Sequence, residues 1–340
     1  MQPNSERQIA AWLLICCLML SLIIVVGGVT RLTHSGLSIV EWQPIVGTLP
    51  PLDEPQWQET FAKYKLTPEF QKVNFAMSLA EFKGIFWWEY VHRLLGRLIG
   101  MVFLIPYLVF LMRRKVHGPL VWKLLGIFFL GALQGGMGWF MVKSGLMDDP
   151  RVSHLRLTAH LGLAFIIFAG MFWVAMDLLF PRGATLAKPN LHRRLAAGLV
   201  TLVFVTVLTG GLVAGIRAGN AYNTFPLMNG HVVPPEIFML APWHLNFFNN
   251  MATVQFDHRL LAWLLAFLVP WFWWNAGRIE AGPRTALAAR LLFGALAVQI
   301  VLGISTLLLV VPVPLAAAHQ AGAVLVFTAA LLAAHSLRST

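Results

Sequence analysis

The stretch Glu89-Tyr90-Val91-His92-Arg93-Leu94-Leu95 returns, altered, as Gln255-Phe256-Asp257-His258-Arg259-Leu260-Leu261, 166 residues further on. Both copies open long apolar runs, where a histidine and an arginine are costly and demand a reason. The repetition extends outward on either side. Gly27-Gly28 matches Gly210-Gly211 and Gly36 matches Gly219 at an offset of 183, Pro44 matches Pro226 at 182, and Pro50-Pro51 matches Pro234-Pro235 at 184. Further along, Gln134 and Gly138 match Gln299 and Gly303 at 165, and His160 matches His319 at 159. The offset falls across outer loops, where insertions are best tolerated. The chain is a duplicated unit.

Composition says what kind of unit. Of 340 residues, 58% are hydrophobic and only 11% are charged, against about 45–50% and about 25% in soluble domains. Soluble, disordered, collagen-like, coiled-coil and disulfide-scaffold classes are all excluded, which leaves a polytopic membrane protein. The net charge of +11 does not mark a nucleic-acid binder, because the basic residues sit in short clusters between apolar runs. The two cysteines, Cys16 and Cys17, are neighbours inside the first run and offer neither a loop disulfide nor a metal quartet.

Eight runs approach or exceed the roughly 20 residues that cross a bilayer. They cover about 9–29, 91–112, 120–142, 157–179, 194–216, 257–275, 288–311 and 314–336. The first is too long for a signal-peptide core and lacks a cleavage site, so it is read as a retained span. Arg113, Arg114, Lys115 and Lys123 lie between spans two and three, Arg182, Lys188, Arg193 and Arg194 between four and five, and Arg278, Arg284 and Arg290 between six and seven. These connections are expected on the cytoplasmic side, with both termini. Two long loops, about 30–90 and 217–256, then face outward. In the first, Gln56–Tyr64 and Met77–Trp88 read as short interfacial helices. The expected fold is an all-α integral membrane protein of eight transmembrane helices. They form two four-helix bundles related by a pseudo-twofold axis, residues 1–180 and 181–340.

Four histidines repeat with the duplication: His92, His160, His258 and His319 fall in the first turn or so of spans two, four, six and eight. All four are expected at one depth near the outer side, a pair in each half. A pair of imidazoles on neighbouring helices is what bis-histidine heme ligation requires. Arg93 and Arg259 are placed to hold propionates. The competing reading of any one histidine is an ordinary interfacial ring, but the matched duplication favours two cofactor sites. Zinc or non-heme iron needs a third ligand that the pattern lacks. The other histidines (His34, His154, His231 and His244 outside; His117, His192 and His335 at inner edges) do not repeat and are expected to be exposed. Most tryptophans near span ends read as belt residues.

The halves are not identical. Glu89 lies one helical turn before His92, and its counterpart is Gln255. A carboxylate can move a proton or stabilise developing positive charge, and an amide cannot take a proton at ordinary pH. The first half is therefore expected to do chemistry and the second to carry electrons. The competing reading is that Glu89 simply pairs with Arg93, four residues on.

The segments Gly27-Gly28-Val29-Thr30-Arg31-Leu32-Thr33-His34-Ser35-Gly36-Leu37-Ser38, Pro68-Glu69-Phe70, Glu81-Phe82-Lys83 and Glu89-Tyr90-Val91-His92-Arg93, in this order, resemble the heme A synthase family in its proteobacterial and mitochondrial branch. The resemblance covers essentially the whole chain. It implies a multi-pass enzyme of the inner (plasma) membrane that oxidises the ring-carbon-eight methyl of heme O to a formyl group. Two successive hydroxylations yield heme A for cytochrome oxidase. By position, His92 and His160 would hold the substrate heme iron beside an essential Glu89, and His258 and His319 a permanent heme b. The implied partners are heme O synthase, a reduced donor such as a ferredoxin or the quinol pool, and the lipid bilayer. A homo-oligomer is also allowed; nucleic acid is not implied. Gram-positive relatives carry a cysteine pair in outer loops, and here those loops have none.

Two other classes compete. A diheme electron carrier resembling membrane cytochromes b would use the same four histidines, but needs neither Glu89 nor a long patterned outer loop. A transporter shares the duplicated halves but binds near the midplane through broken helices.

Overall fold

A computed structural model describes residues 3–41, 46–147, 150–181, 191–276 and 282–338. Pro44, Arg182, Lys188 and Arg278, which entered the repeat and charge readings, lie outside the described residues. Eleven α-helices appear among the described residues: α1 (Pro3–Leu32), α2 (Glu54–Lys65), α3 (Pro68–Lys72), α4 (Leu79–Met112), α5 (Pro119–Gly145), α6 (His154–Leu179), α7 (Leu191–Gly215), α8 (Asn246–Asn249), α9 (Met251–Ala276), α10 (Gly282–Leu308) and α11 (Val313–Ser336). The only β pairing among those residues is one bridge, Met228 with His231. Eight of the helices (α1, α4, α5, α6, α7, α9, α10, α11) are long and apolar enough to cross a membrane, in agreement with the eight expected runs.

The described chain groups into two compact units, Ile15–Ile167 and Met1–Leu14 with Phe168–Thr340. The division falls within α1 and α6. In the second unit α7 packs on α9, α9 on α10, α10 on α11 and α11 on α7, a closed ring of four helices. Phe327 of α11 meets both Phe168 and Phe204 in its interior. At one end of this unit His335 is wholly buried, not exposed as the sequence reading expected. Its Nε2 meets Asp177 at 3.2 Å and Arg284 donates to its Nδ1 at 2.8 Å, while Arg338 also pairs with Asp177. Three helices are tied through one ring, and isolated buried polarity would not be tolerated there.

In the first unit the expected break at residues 88–91 does not occur. Residues 77–88 do not form a separate interfacial helix: α4 runs without interruption from Leu79 through the whole second span. Ser78 and Glu81 close a capping box that starts the helix early. The outward turns then bury Phe82, Phe86 and Tyr90 against Trp57, Phe61 and Tyr64 of α2. Phe82 lies 5.0 Å from Phe61 and 5.1 Å from Tyr64, centroid to centroid. α2 itself forms where Gln56–Tyr64 was expected, capped by Asp53 on the Gln56 N–H.

Candidate functional site

The early start of α4 moves His92 thirteen residues into its helix. His160, His258 and His319 instead stand six to seven residues into theirs, in the second turn. None sits in a first turn, because each helix begins farther out than its apolar run.

Each histidine rests on a glycine of a neighbouring helix. A β-carbon on Gly27 of α1 would lie 2.8 Å from His92 Nε2, and one on Gly138 of α5 would lie 3.1 Å from His160 Cε1. In the second unit the distances are 3.2 Å from Gly210 of α7 to His258 Cε1 and 2.8 Å from Gly303 of α10 to His319 Cε1. A β-carbon at Gly27 or Gly303 would force the ring to shift, and one at Gly138 or Gly210 would press on it, so the repeated glycines are explained by the rings they receive. His92 and His160 belong to one compact unit and His258 and His319 to the other. The repeated glutamines are explained too: Gln134 Nε2 donates to the His160 carbonyl at 3.0 Å, and Gln299 Nε2 to the His319 carbonyl at 2.9 Å.

The donor set fits heme. His160 Nδ1 and His319 Nδ1 are buried without hydrogen-bond partners, an arrangement that a metal bond to the ring and a flipped or shifted imidazole can relieve. Among the described residues no group of three or more potential metal ligands gathers, which disfavours zinc and non-heme iron. Two imidazoles per unit remain, the number of nitrogen donors that a bis-histidine heme would need. The units differ at one ring: Thr209 Oγ1 lies 2.9 Å from His258 Nδ1, and the position matching Thr209 in the first unit is Val26.

Glu89 is buried, with 2% of its surface exposed. Its Oε2 accepts from Ser38 Oγ at 2.7 Å and from the Ile39 N–H at 2.8 Å. Its Oε1 accepts from Arg93 Nε at 3.0 Å and Nη2 at 2.6 Å. The pairing with Arg93 is therefore real, but it is half of the carboxylate's environment. Arg93 also donates to the carbonyls of Ile39 at 2.7 Å and Glu41 at 3.0 Å. Arg259 repeats this tie, donating to the Tyr222 carbonyl and to Gln255 Oε1, each at 2.9 Å. Each arginine straps the loop preceding its helix to that helix, a role that sequence reasoning missed. The strap leaves fewer of their N–H groups for propionates than the sequence reading assumed. Two intramembrane charges also escaped notice. Asp257 adjoins His258, with Val91 at the matching position, and Arg97 follows His92 by five residues, with Trp263 opposite in register. A charge inside an apolar run is the signal that would have found them.

A duplicated helical membrane protein with one histidine pair per unit is the class that this fold and site define. Residues 10–331 match the COX15-CtaA family, described as cytochrome oxidase assembly protein. The chain is 64% identical over 335 residues to a protein named heme A synthase from Nitrosospira multiformis, covering 98% of this chain and 94% of that one. Proteins of the same name from Nitrosomonas eutropha and Paramagnetospirillum magneticum are 58% and 51% identical, over 96% and 98% of this chain and 93% and 95% of theirs. The chain belongs to the heme A synthase family.

Proposed function

We propose that the protein is a heme A synthase that converts the ring-carbon-eight methyl of heme O to a formyl group. Two successive hydroxylations, each consuming one external oxidant of the dioxygen class together with two donor electrons and two protons and releasing one water, carry the methyl to a hydrated aldehyde, which loses water. The observation that carries this reading is the pair of like-built histidine sites of which only the first has a carboxylate one helical turn before its histidine, Glu89 where the second has Gln255. His92 and His160 hold the substrate heme iron, and Glu89, one turn from His92, supplies the carboxylate on that side of the site. His258 and His319 hold heme b, which when bound supplies one-electron redox chemistry. Thr209 supports the resident character of that second site, since a hydrogen bond to Nδ1 fixes the tautomer and orientation of a ligating ring. With Val26 at the matching place, His92 lacks that particular restraint, as suits a site whose occupant must leave.

The remaining features follow from charge and duplication. Both termini are cytoplasmic, the loops at about 30–90 and 217–256 face the outer side of the inner membrane, and the halves relate by a pseudo-twofold axis. Heme O synthase supplies the substrate, and a ferredoxin or quinol supplies electrons.

The test is the heme content of protein purified after co-expression with a heme O synthase, resolved by chromatography and mass. Heme b together with heme O, a hydroxylated form or heme A is expected. Heme b alone, two per chain, would make the protein a diheme electron carrier. Glu89→Gln is expected to abolish heme A formation while both hemes stay bound; retained heme A formation in that variant would remove Glu89 from the reaction.

A further inference from the structure

The two straps set the register of the outer loops, and that register exposes a further difference between the halves. Arg93 Nη2 donates to the Ile39 carbonyl and Arg259 Nη2 to the Tyr222 carbonyl, which aligns Ile39 with Tyr222. One residue earlier, Ser38 therefore corresponds to Ala221. Ser38 is buried, at 1% exposure, and its hydroxyl donates to Glu89 Oε2. In the other half Ala221 has no hydroxyl and Gln255 is not a carboxylate. There the loop contact is reversed, and Gln255 Nε2 donates to the Ala218 carbonyl at 2.7 Å. The hydroxyl and the carboxylate it serves are present together in one half and absent together in the other.

We propose that Ser38 is a positioning residue for Glu89, and that the two act as one unit in the reaction assigned above, on which this inference rests. Ser38 is held rigidly. Its own N–H bonds to the Ser35 carbonyl at 3.2 Å, and the Ser35 N–H bonds to the Thr30 carbonyl at 2.9 Å, so the turn is fastened to the end of α1. The hydroxyl and the Ile39 N–H together fix Oε2, while Arg93 fixes Oε1. Four donors on its two oxygens hold the carboxylate in one orientation. Without Ser38, Oε2 keeps one donor and the carboxylate plane is free to turn about the Arg93 contact.

Ser38→Ala tests this. The smaller side chain introduces no clash, and Glu89 keeps three donors, so folding and the heme content of the purified protein are expected to be unchanged. The turnover number for heme O is expected to fall roughly tenfold or more, the loss associated with one hydrogen bond to a charged group, while KM stays the same. In the infrared difference spectrum between wild type and Glu89→Gln, the carboxylate band belonging to Glu89 is expected to shift when Ser38→Ala is made. An unchanged turnover number, a rise in KM alone, or an unmoved Glu89 band would each overturn the proposal. The infrared result does not depend on turnover, so a wild-type protein that never converts heme O would fail the proposed function while the Ser38–Glu89 contact was still judged on its own.

Discussion

At the scale of residues, the two sites are built from absence as much as presence. Gly27, Gly138, Gly210 and Gly303 each leave room for one imidazole. Glycine within a helix costs about 0.5–1 kcal/mol relative to alanine, so these positions keep a destabilising residue for the sake of the ring. Gly303→Ala is expected to displace His319 and strip the heme b proposed for that site, measured as loss of the b-type absorbance in purified protein. Gly294→Ala on the same helix, where a β-carbon meets nothing within 4 Å, is expected to retain it. The same reasoning qualifies Glu89→Gln as a probe. The amide must turn its NH2 either toward Ser38 and the Ile39 N–H or toward Arg93, so one donor–donor contact arises alongside the lost charge. Glu89 and its position relative to His92 were legible in the sequence. Ser38 was not, because nothing in a run of loop residues says which hydroxyl reaches back 51 positions along the chain.

At the scale of elements, α4 shows how packing overrides an apolar-run reading. Hydropathy begins the span near residue 91, yet the helix starts at Leu79. The added turns are stabilised by ring contacts with α2, including Trp57 with Phe86 at 4.9 Å. Phe82 is fully buried between Phe61 and Tyr64. Phe82→Ala is expected to cost about 3–5 kcal/mol locally, freeing α2 and making the outer loop sensitive to added protease in sealed vesicles while the spans remain intact. Burial also raises the Tyr64 phenol, with Glu69 adding to the effect. The neutral phenol is the form that donates to Glu69 at 3.3 Å. Because its folded value lies above the unfolded one, this contribution is complete below the ordinary tyrosine range near 10. It is lost progressively as pH rises from that range through the raised value. Interfacial helices near 56–64 and 77–88 were both readable as helix, but only the aromatic contacts decided that the second belongs to a span.

At the scale of the whole molecule, each compact unit contains one complete histidine pair with its glycines and glutamine: His92 and His160 in one, His258 and His319 in the other. The sites are therefore expected to lose their hemes independently. His319→Ala should remove heme b while heme O is still recovered from protein co-expressed with its synthase, and His160→Ala should do the reverse. Loss of both hemes in either variant would show that the units do not hold their ligands separately.

The amino-acid sequence alone determined the membrane class, the eight spans, the duplication and the four histidines. Each of these is a statement about periodicity or about charge in apolar surroundings, and both survive as linear patterns. What only the tertiary structure decided were the contacts between distant segments. These are the glycine notch under each ring, the arginine straps that compete with a propionate role, the serine behind Glu89 and the burial of His335 among Asp177, Arg284 and Arg338. Such contacts depend on which faces of which helices meet and in what register. Side-chain hydrogen bonds of about 3 Å are set by that packing, and no spacing along the chain encodes it.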